Sequence, residues 1–146
     1  MKKVSIIIAC RNEEEFLGPC LMSLLEQDYP QELIEIIVVD GMSTDQTWDI
    51  AEAFRRNYPN IDTQMNLAKF KYPGLNHGLK IAKGDYVAIA DAHSLYPENY
   101  ISGLTQKLDA EQVDNVGAGR VVKPRDNGFL SKAITLALTM PFSIFK

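Results

Sequence analysis

One short stretch of this chain brings a carboxylate and an imidazole together: Asp91-Ala92-His93, directly after the apolar run Tyr86 to Ala90. In extended backbone, side chains two positions apart leave on the same side, so both groups can be aimed at one point. Carboxylate oxygen with imidazole nitrogen suits Mn²⁺ and similar ions, whereas a Mg²⁺ site favours an all-oxygen set. The same pair also suits a solvated turn that closes a strand, and spacing alone leaves both readings open. A second candidate is Asp40, which ends the run Ile34 to Asp40 and precedes Gly41-Met42-Ser43-Thr44-Asp45. It can accept from a base or from ribose hydroxyls, or it can cap the turn. A third polar cluster, Arg11-Asn12-Glu13-Glu14, follows the run Val4 to Cys10. Neither GxGxxG nor GxxxxGK[ST] occurs, so no glycine-rich phosphate cradle is available. A diphosphate would need a different neutraliser, and a divalent cation bridging its oxygens is one. His77 lies in a helical pattern without an acid at ligand spacing and reads as structural.

These clusters fall at the ends of strands that alternate with helices. Val4 to Cys10 and Ile34 to Asp40 are mostly apolar, β-branched runs, as in strands buried on both faces. A helix is expected from about Leu17 or Gly18, because Pro19 is tolerated only in a first turn. Ser43 and Gln46 have capping-box spacing and predict a helix from about Thr44 to Asn57, with Trp48, Ala51 and Phe54 inward. A short strand near Ile61 to Asn66 follows, then a helix from Pro73 to Ala82 stopped by Gly84. Next come the strand Tyr86 to Ala90, a helix opening at Pro97, a fifth strand Val116 to Val122 and a last helix Phe129 to Met140. This order predicts one α/β domain over residues 1–146: three layers, α/β/α, around a mainly parallel sheet. In such sheets ligands sit outside the carboxyl ends of the strands, and three polar clusters at one edge read as the lining of a single cleft.

Composition narrows the function. A net charge of −4 provides no basic field for nucleic acid or an anionic membrane. The N-terminal apolar run is too short for a signal peptide and acids follow at once, so a cytoplasmic location is expected. The last helix is shorter than a membrane span. Cys10 and Cys20 read as reduced and packed.

The stretches VSIIIACRNEEEFLGPCLMSLLEQDYP, IEIIVVDGMSTDQT and KYPGLNHGLKIAKGDYVAIADAH closely resemble the family 2 glycosyltransferases of the GT-A fold. DAH followed by YP, with the tail LSKAITLALTMPF, is most similar to the bacterial exopolysaccharide, succinoglycan-synthesis branch. The resemblance implies transfer of a sugar from a nucleotide-diphosphate donor, a UDP-sugar by preference, to a polysaccharide or lipid-linked acceptor, with inversion and a divalent cation. It places a nucleotide-binding loop on Ala9, Cys10, Arg11, Asn12 and Glu13, a base or ribose contact on Asp40, and a basic position on Lys71. Asp91 and His93 fall on the Asp-x-Asp motif, whose first acid serves ribose or metal and whose last residue holds the divalent ion on the diphosphate.

The sequence departs from the family pattern at Ala9, where proline is usual, at Arg11, where tyrosine is usual, and at His93, where the second acid is usual. The last departure favours Mn²⁺ over Mg²⁺. The family's general base lies well beyond the Asp-x-Asp strand, so none is expected before Lys146; Asp109, Glu111, Asp114 and Asp126 match no motif for it. The chain therefore reads as the nucleotide-binding part of an enzyme whose acceptor half is missing, with a membrane-facing cytoplasmic location for the whole. The apolar last helix predicts a homodimer. Two other functions compete: a non-catalytic nucleotide-binding module and a nucleotidyltransferase.

Overall fold

An apolar run buried on both faces belongs in the interior of a parallel sheet, and Val4–Cys10 (β1) lies there. The structure, a computed structural model, describes residues 1–119, 121–122 and 128–139. After β1 come α1 (Leu17–Leu25), a short 3₁₀ turn (Gln31–Leu33), β2 (Ile34–Asp40), α2 (Thr47–Asn57), β3 (Ile61–Met65), α3 (Lys71–Ile81), β4 (Tyr86–Ala90) and α4 (Tyr100–Glu111). These form one compact unit, Met1–Val116; residues 117–146 form a second, which contains α5 (Phe129–Thr139).

The four strands are all parallel, in the order β3-β2-β1-β4. β1 pairs with β2 from Val4–Ile34 to Cys10–Asp40, and with β4 from Val4–Tyr86 to Ile8–Ala90. Side-chain alternation sends Ile6, Ile8, Ile36 and Val38 into one core with Leu17, Leu21 and Leu24 of α1, Ala51 of α2 and Ile101 of α4. Each buried Ile, Leu or Val of this core contributes about 1.5–3 kcal/mol by leaving water. Ile7 and Val39 point to the opposite face, where α3 packs. Helices on both faces give the expected three layers.

α3 approaches the sheet closely because Gly78 lies against it: a Cβ there would stand 2.5 Å from Ile7 Cγ2. Gly84 has a different role from the helix stop expected of it. Its φ is not positive and Ala82 caps α3; a Cβ on Gly84 would lie 2.5 Å from the Ser5 backbone nitrogen. The chain therefore crosses β1 at that point, and Ser5 Oγ accepts from the Gly84 N–H at 2.8 Å.

Three further expectations are corrected. The Ser43–Gln46 capping box does not form, because Ser43 Oγ donates to Asp40. Helix α2 starts at Thr47, and its first N–H groups are taken by Asp45 and by Glu14 from the neighbouring loop. Helix α4 starts at Tyr100, three residues after Pro97, whose carbonyl accepts from the Tyr100 N–H. Of the expected fifth strand, residues 116–119 and 121–122 form none; Gly117 and Gly119 offer no side chain to pack in a ladder. Asp126 and Met140 lie outside the described residues. In α5, Phe129, Ile134 and Leu136 are exposed. Among the described residues no helix is long and apolar enough to cross a membrane.

Candidate functional site

The strand order creates a site. The chain runs outward through β1, β2 and β3, then returns to pair β4 on the far side of β1. The order thus reverses at β1, with β2 on one side and β4 on the other, and the loops after β1 and β4 meet at the carboxyl ends of those two strands, where open α/β sheets hold ligands in a crevice. The register sets its level: Asp40 lies beside Cys10, and Ala90 beside Ile8, so Asp91 follows at the height of Ala9.

A cavity of about 190 Å³ occupies this crevice. Of the residues singled out by sequence, Ala9, Arg11, Glu13, Lys71, Asp91 and His93 all line it. Lys71 Nζ stands 2.5 Å from Asp91 Oδ1, and His93 Nδ1 stands 3.1 Å from Glu13 Oε1. The second pair bridges the β1 and β4 loops. A carboxylate beside Nδ1 holds a proton there and leaves Nε2 as the nitrogen able to bind a metal. Arg11, Lys69 and Lys71 face two lining carboxylates, Glu13 and Asp91, so the wall carries an excess positive charge suited to an anion.

Asp40 is placed differently. It is 1 % exposed, and both carboxylate oxygens are engaged by Ser43, one by the N–H at 2.9 Å and the other by Oγ. It fixes the turn that brings Gly41 to the cavity wall, where a Cβ would stand 3.1 Å from the Lys69 carbonyl. Non-glycine residues with positive φ mark this edge: Asn12 at 55°, Met42 at 60° and Lys69 at 65°, one in each loop after β1, β2 and β3. Such strain persists where surrounding bonds enforce it. Here the β1 and β2 loops are joined by several. The Asn12 N–H donates to Ser43 Oγ at 2.9 Å and Asn12 Oδ1 accepts from the Thr44 N–H at 2.9 Å. The Glu13 N–H donates to Thr47 Oγ1 at 2.7 Å, and Glu14 Oε2 accepts from the Gln46 N–H at 2.9 Å.

Sequence reading missed Asn66, Lys69 and Phe70 of the β3–α3 loop, which line the cavity, and Tyr96, which holds Asp91 from behind. The Asp91 N–H donates to the Tyr96 hydroxyl at 2.7 Å, and that hydroxyl donates back to the Asp91 carbonyl at 3.3 Å. Burial pushes the Tyr96 phenol up to about 12, so it remains protonated and able to donate. The signal for Tyr96 was present in the Tyr-Pro after Asp91-Ala92-His93; that for the β3–α3 loop was absent, since no motif marks it.

Cys10 also lines the cavity, but burial first and Asp40 second push its thiol up to about 12. It stays protonated and is no nucleophile. Cys20 is likewise free and buried, as expected. Among the described residues no group of three or more His, Cys, Asp and Glu is placed to hold a metal. Asp91 and His93 stand in a turn closed by the Ser94 N–H on the Asp91 carbonyl at 3.1 Å, not in the extended backbone that spacing assumed, although both line the cavity. One carboxylate and one imidazole are a donor set suited to an ion held by one or two protein groups together with substrate phosphates.

The sequence model described as "Glycosyl transferase family 2" matches residues 5–145. A Methanococcus voltae protein named dolichyl N-acetyl-alpha-D-glucosaminyl phosphate 3-beta-D-2,3-diacetamido-2,3-dideoxy-beta-D-glucuronosyltransferase is 29% identical over 148 residues, covering 98% of this chain and 46% of that protein. Among solved structures, residues 1–349 of TarS from S. aureus in complex with UDP-GlcNAc superpose with a TM-score of 0.68 at 26% identity, over 82% of this chain and 37% of that one. The mannosyltransferase PcManGT from Pyrobaculum calidifontis, in complex with GDP-Man and Mn²⁺, superposes with a TM-score of 0.69 at 29% identity, over 73% of this chain and 32% of that one. The chain thus spans less than half the length of these relatives.

Proposed function

The chain belongs to glycosyl transferase family 2, and from that premise we propose that its β1/β4 crevice binds the nucleotide-diphosphate end of a sugar donor, UDP by preference, together with a divalent cation. The observation that carries this is the convergence of Arg11, Lys71, Asp91 and His93 on one cavity at the strand-order switch. Support for the ligand class comes from the neighbours described above, one holding UDP-GlcNAc and another GDP-Man with Mn²⁺.

The roles follow from chemistry. Asp91 and His93 would hold the ion, Mn²⁺ in preference to Mg²⁺ because one donor is nitrogen. Glu13 orients the imidazole through Nδ1. Lys71, Lys69 and Arg11 draw the diphosphate into the crevice. Asp40, locked to Ser43, keeps the Gly41 turn in place as the wall against which the nucleoside rests. In the transfer, an acceptor hydroxyl attacks the anomeric carbon as the bond to the diphosphate oxygen breaks, which inverts the configuration. When bound, the cation offsets the charge that develops on the leaving diphosphate. The hydroxyl's proton passes to a general base. Among the described residues Asp109 is bound to the Tyr86 hydroxyl at 2.5 Å, and neither it, Glu111 nor Asp114 lines the cavity. We assign the base to none of them. The acceptor, a saccharide or lipid-linked glycan, follows the class named for the relatives, and the reaction takes place on the cytoplasmic side.

Calorimetry with UDP, GDP and CDP in the presence of Mn²⁺ tests this reading. UDP is expected to bind tightest, and Asp91→Ala to weaken it by about ten- to a hundredfold, the loss of one charge-assisted contact of about 1.5–3 kcal/mol. Equal binding by Asp91→Ala, with or without Mn²⁺, removes the assignment.

A further inference from the structure

The carboxylate assigned to the metal already holds a cation of the protein's own. Lys71 sits in the first turn of α3 and reaches across the cavity to Asp91 at the end of β4. The two side chains are 50% and 44% exposed, so neither is trapped and the contact can open without disturbing the core. An ammonium and a divalent ion on one carboxylate repel each other. A diphosphate reverses that conflict, because it supplies anionic oxygens to both cations at once. Resting on the nucleotide site proposed above, we infer that Lys71 is a stand-in cation: its ammonium occupies Asp91 while the nucleotide is absent and passes to the diphosphate when it arrives. Cation and nucleotide then load as a linked pair, each raising the affinity for the other by the same factor. The free crevice does not fill with metal alone, and the lysine is delivered to the phosphates by the event that needs it.

A neighbouring unit charge changes a carboxylate's affinity for a proton by about ten- to a thousandfold, and a half-exposed pair lies at the low end of that range. The experiment titrates Mn²⁺ into the nucleotide-free chain, with free ion read by electron paramagnetic resonance, and repeats the titration with saturating UDP. The variants are Lys71→Met, Asp91→Asn and Lys80→Met, the last removing the same charge from the far end of α3. Lys71→Met is expected to bind Mn²⁺ about tenfold more tightly than wild type without nucleotide, and to lose most of the gain that UDP gives the wild type. Lys80→Met is expected to match the wild type in both. If Lys71→Met binds nucleotide-free Mn²⁺ no more tightly than wild type while Asp91→Asn abolishes binding, the exchange is overturned and the ion site stands. If Asp91→Asn leaves Mn²⁺ binding intact with UDP present, both the exchange and the site are overturned.

Discussion

Tyr96 offers a way to perturb Asp91 without touching it. Tyr96→Phe keeps the ring, its packing against the core and its contact with Tyr100, whose ring centroid is 4.7 Å away. What it removes is the oxygen that accepts from the Asp91 N–H at 2.7 Å and donates to the Asp91 carbonyl. Leaving a buried donor without a partner costs about 1–3 kcal/mol. This site is part-buried, so water recovers some of the loss and about 1–2 kcal/mol is expected. Unfolding entropy of about 2.1 cal/mol/K per residue over 146 residues amounts to about 0.3 kcal/mol/K. The melting temperature should therefore fall by about 3–7 °C, read by circular dichroism or tryptophan fluorescence from the single Trp48. Because the freed peptide carries Asp91, Mn²⁺-dependent UDP affinity should fall as well, by more than a surface tyrosine of the same size would cause, such as Tyr72→Phe. A variant that melts within 1 °C of wild type and binds UDP and Mn²⁺ unchanged would show that Asp91 is held by something else.

Two other outcomes follow from the packing and the surface charges. Gly84→Ala should destabilise more than Gly78→Ala: the first drives a methyl into the Ser5 backbone, while the second meets the Ile7 side chain, which can turn. Overpacking of this kind costs about 1–3 kcal/mol, and urea midpoints for the two variants in the reverse order would refute the comparison. Glu52 is held down at about 2, below its usual 4.5, first by the hydrogen bonds from Arg55 and then by Thr63. A depressed carboxylate stabilises the fold above its unfolded value and ceases to do so as pH falls through the folded one. The advantage of wild type over Glu52→Gln in thermal melts should therefore be constant above about pH 5 and shrink between about pH 4.5 and 2. A gap that is flat across that window would sink the assignment.

Strands were the most legible elements, for a physical reason. β1 and β2 are bounded as their mostly apolar runs are, because both faces of these strands are buried, and β4 keeps the bounds of its run although Val87 and Ile89 on one face are exposed. Helix starts were less legible, since their N–H groups are satisfied by partners distant in sequence. Ser43 has capping-box spacing with Gln46, yet Asp40 takes its hydroxyl and Glu14 takes the Gln46 N–H. The run Asn76-x-Gly78-x-x-x-Ala82-x-Gly84 lies within one of the stretches that carry the family resemblance, and its glycines carry packing, with Gly78 against Ile7 and Gly84 against Ser5. The site was legible wherever a residue stands at a strand end, as Asp91, His93 and Arg11 do. It was hidden wherever a loop brings residues in from the side, as with Asn66, Lys69 and Phe70, because loop conformation follows from contacts that no local spacing encodes.

The bonds joining the β1 and β2 loops have a consequence for how this crevice can change over time. They are made by the backbone at residues 12–14 and by the side chains of Asn12, Glu14, Ser43 and Thr47. The Arg11 side chain, exposed at the cavity wall, takes no part in those bonds. The bonds that hold the loop and the Arg11 side chain at the cavity wall are thus carried by separate residues of one short loop. A substitution at Arg11 alters the charge that the cavity wall presents to the proposed diphosphate while the frame around it keeps its shape, so that charge can change by single steps that the fold does not resist. The departure of this chain from tyrosine at that position is the kind of step such an arrangement permits.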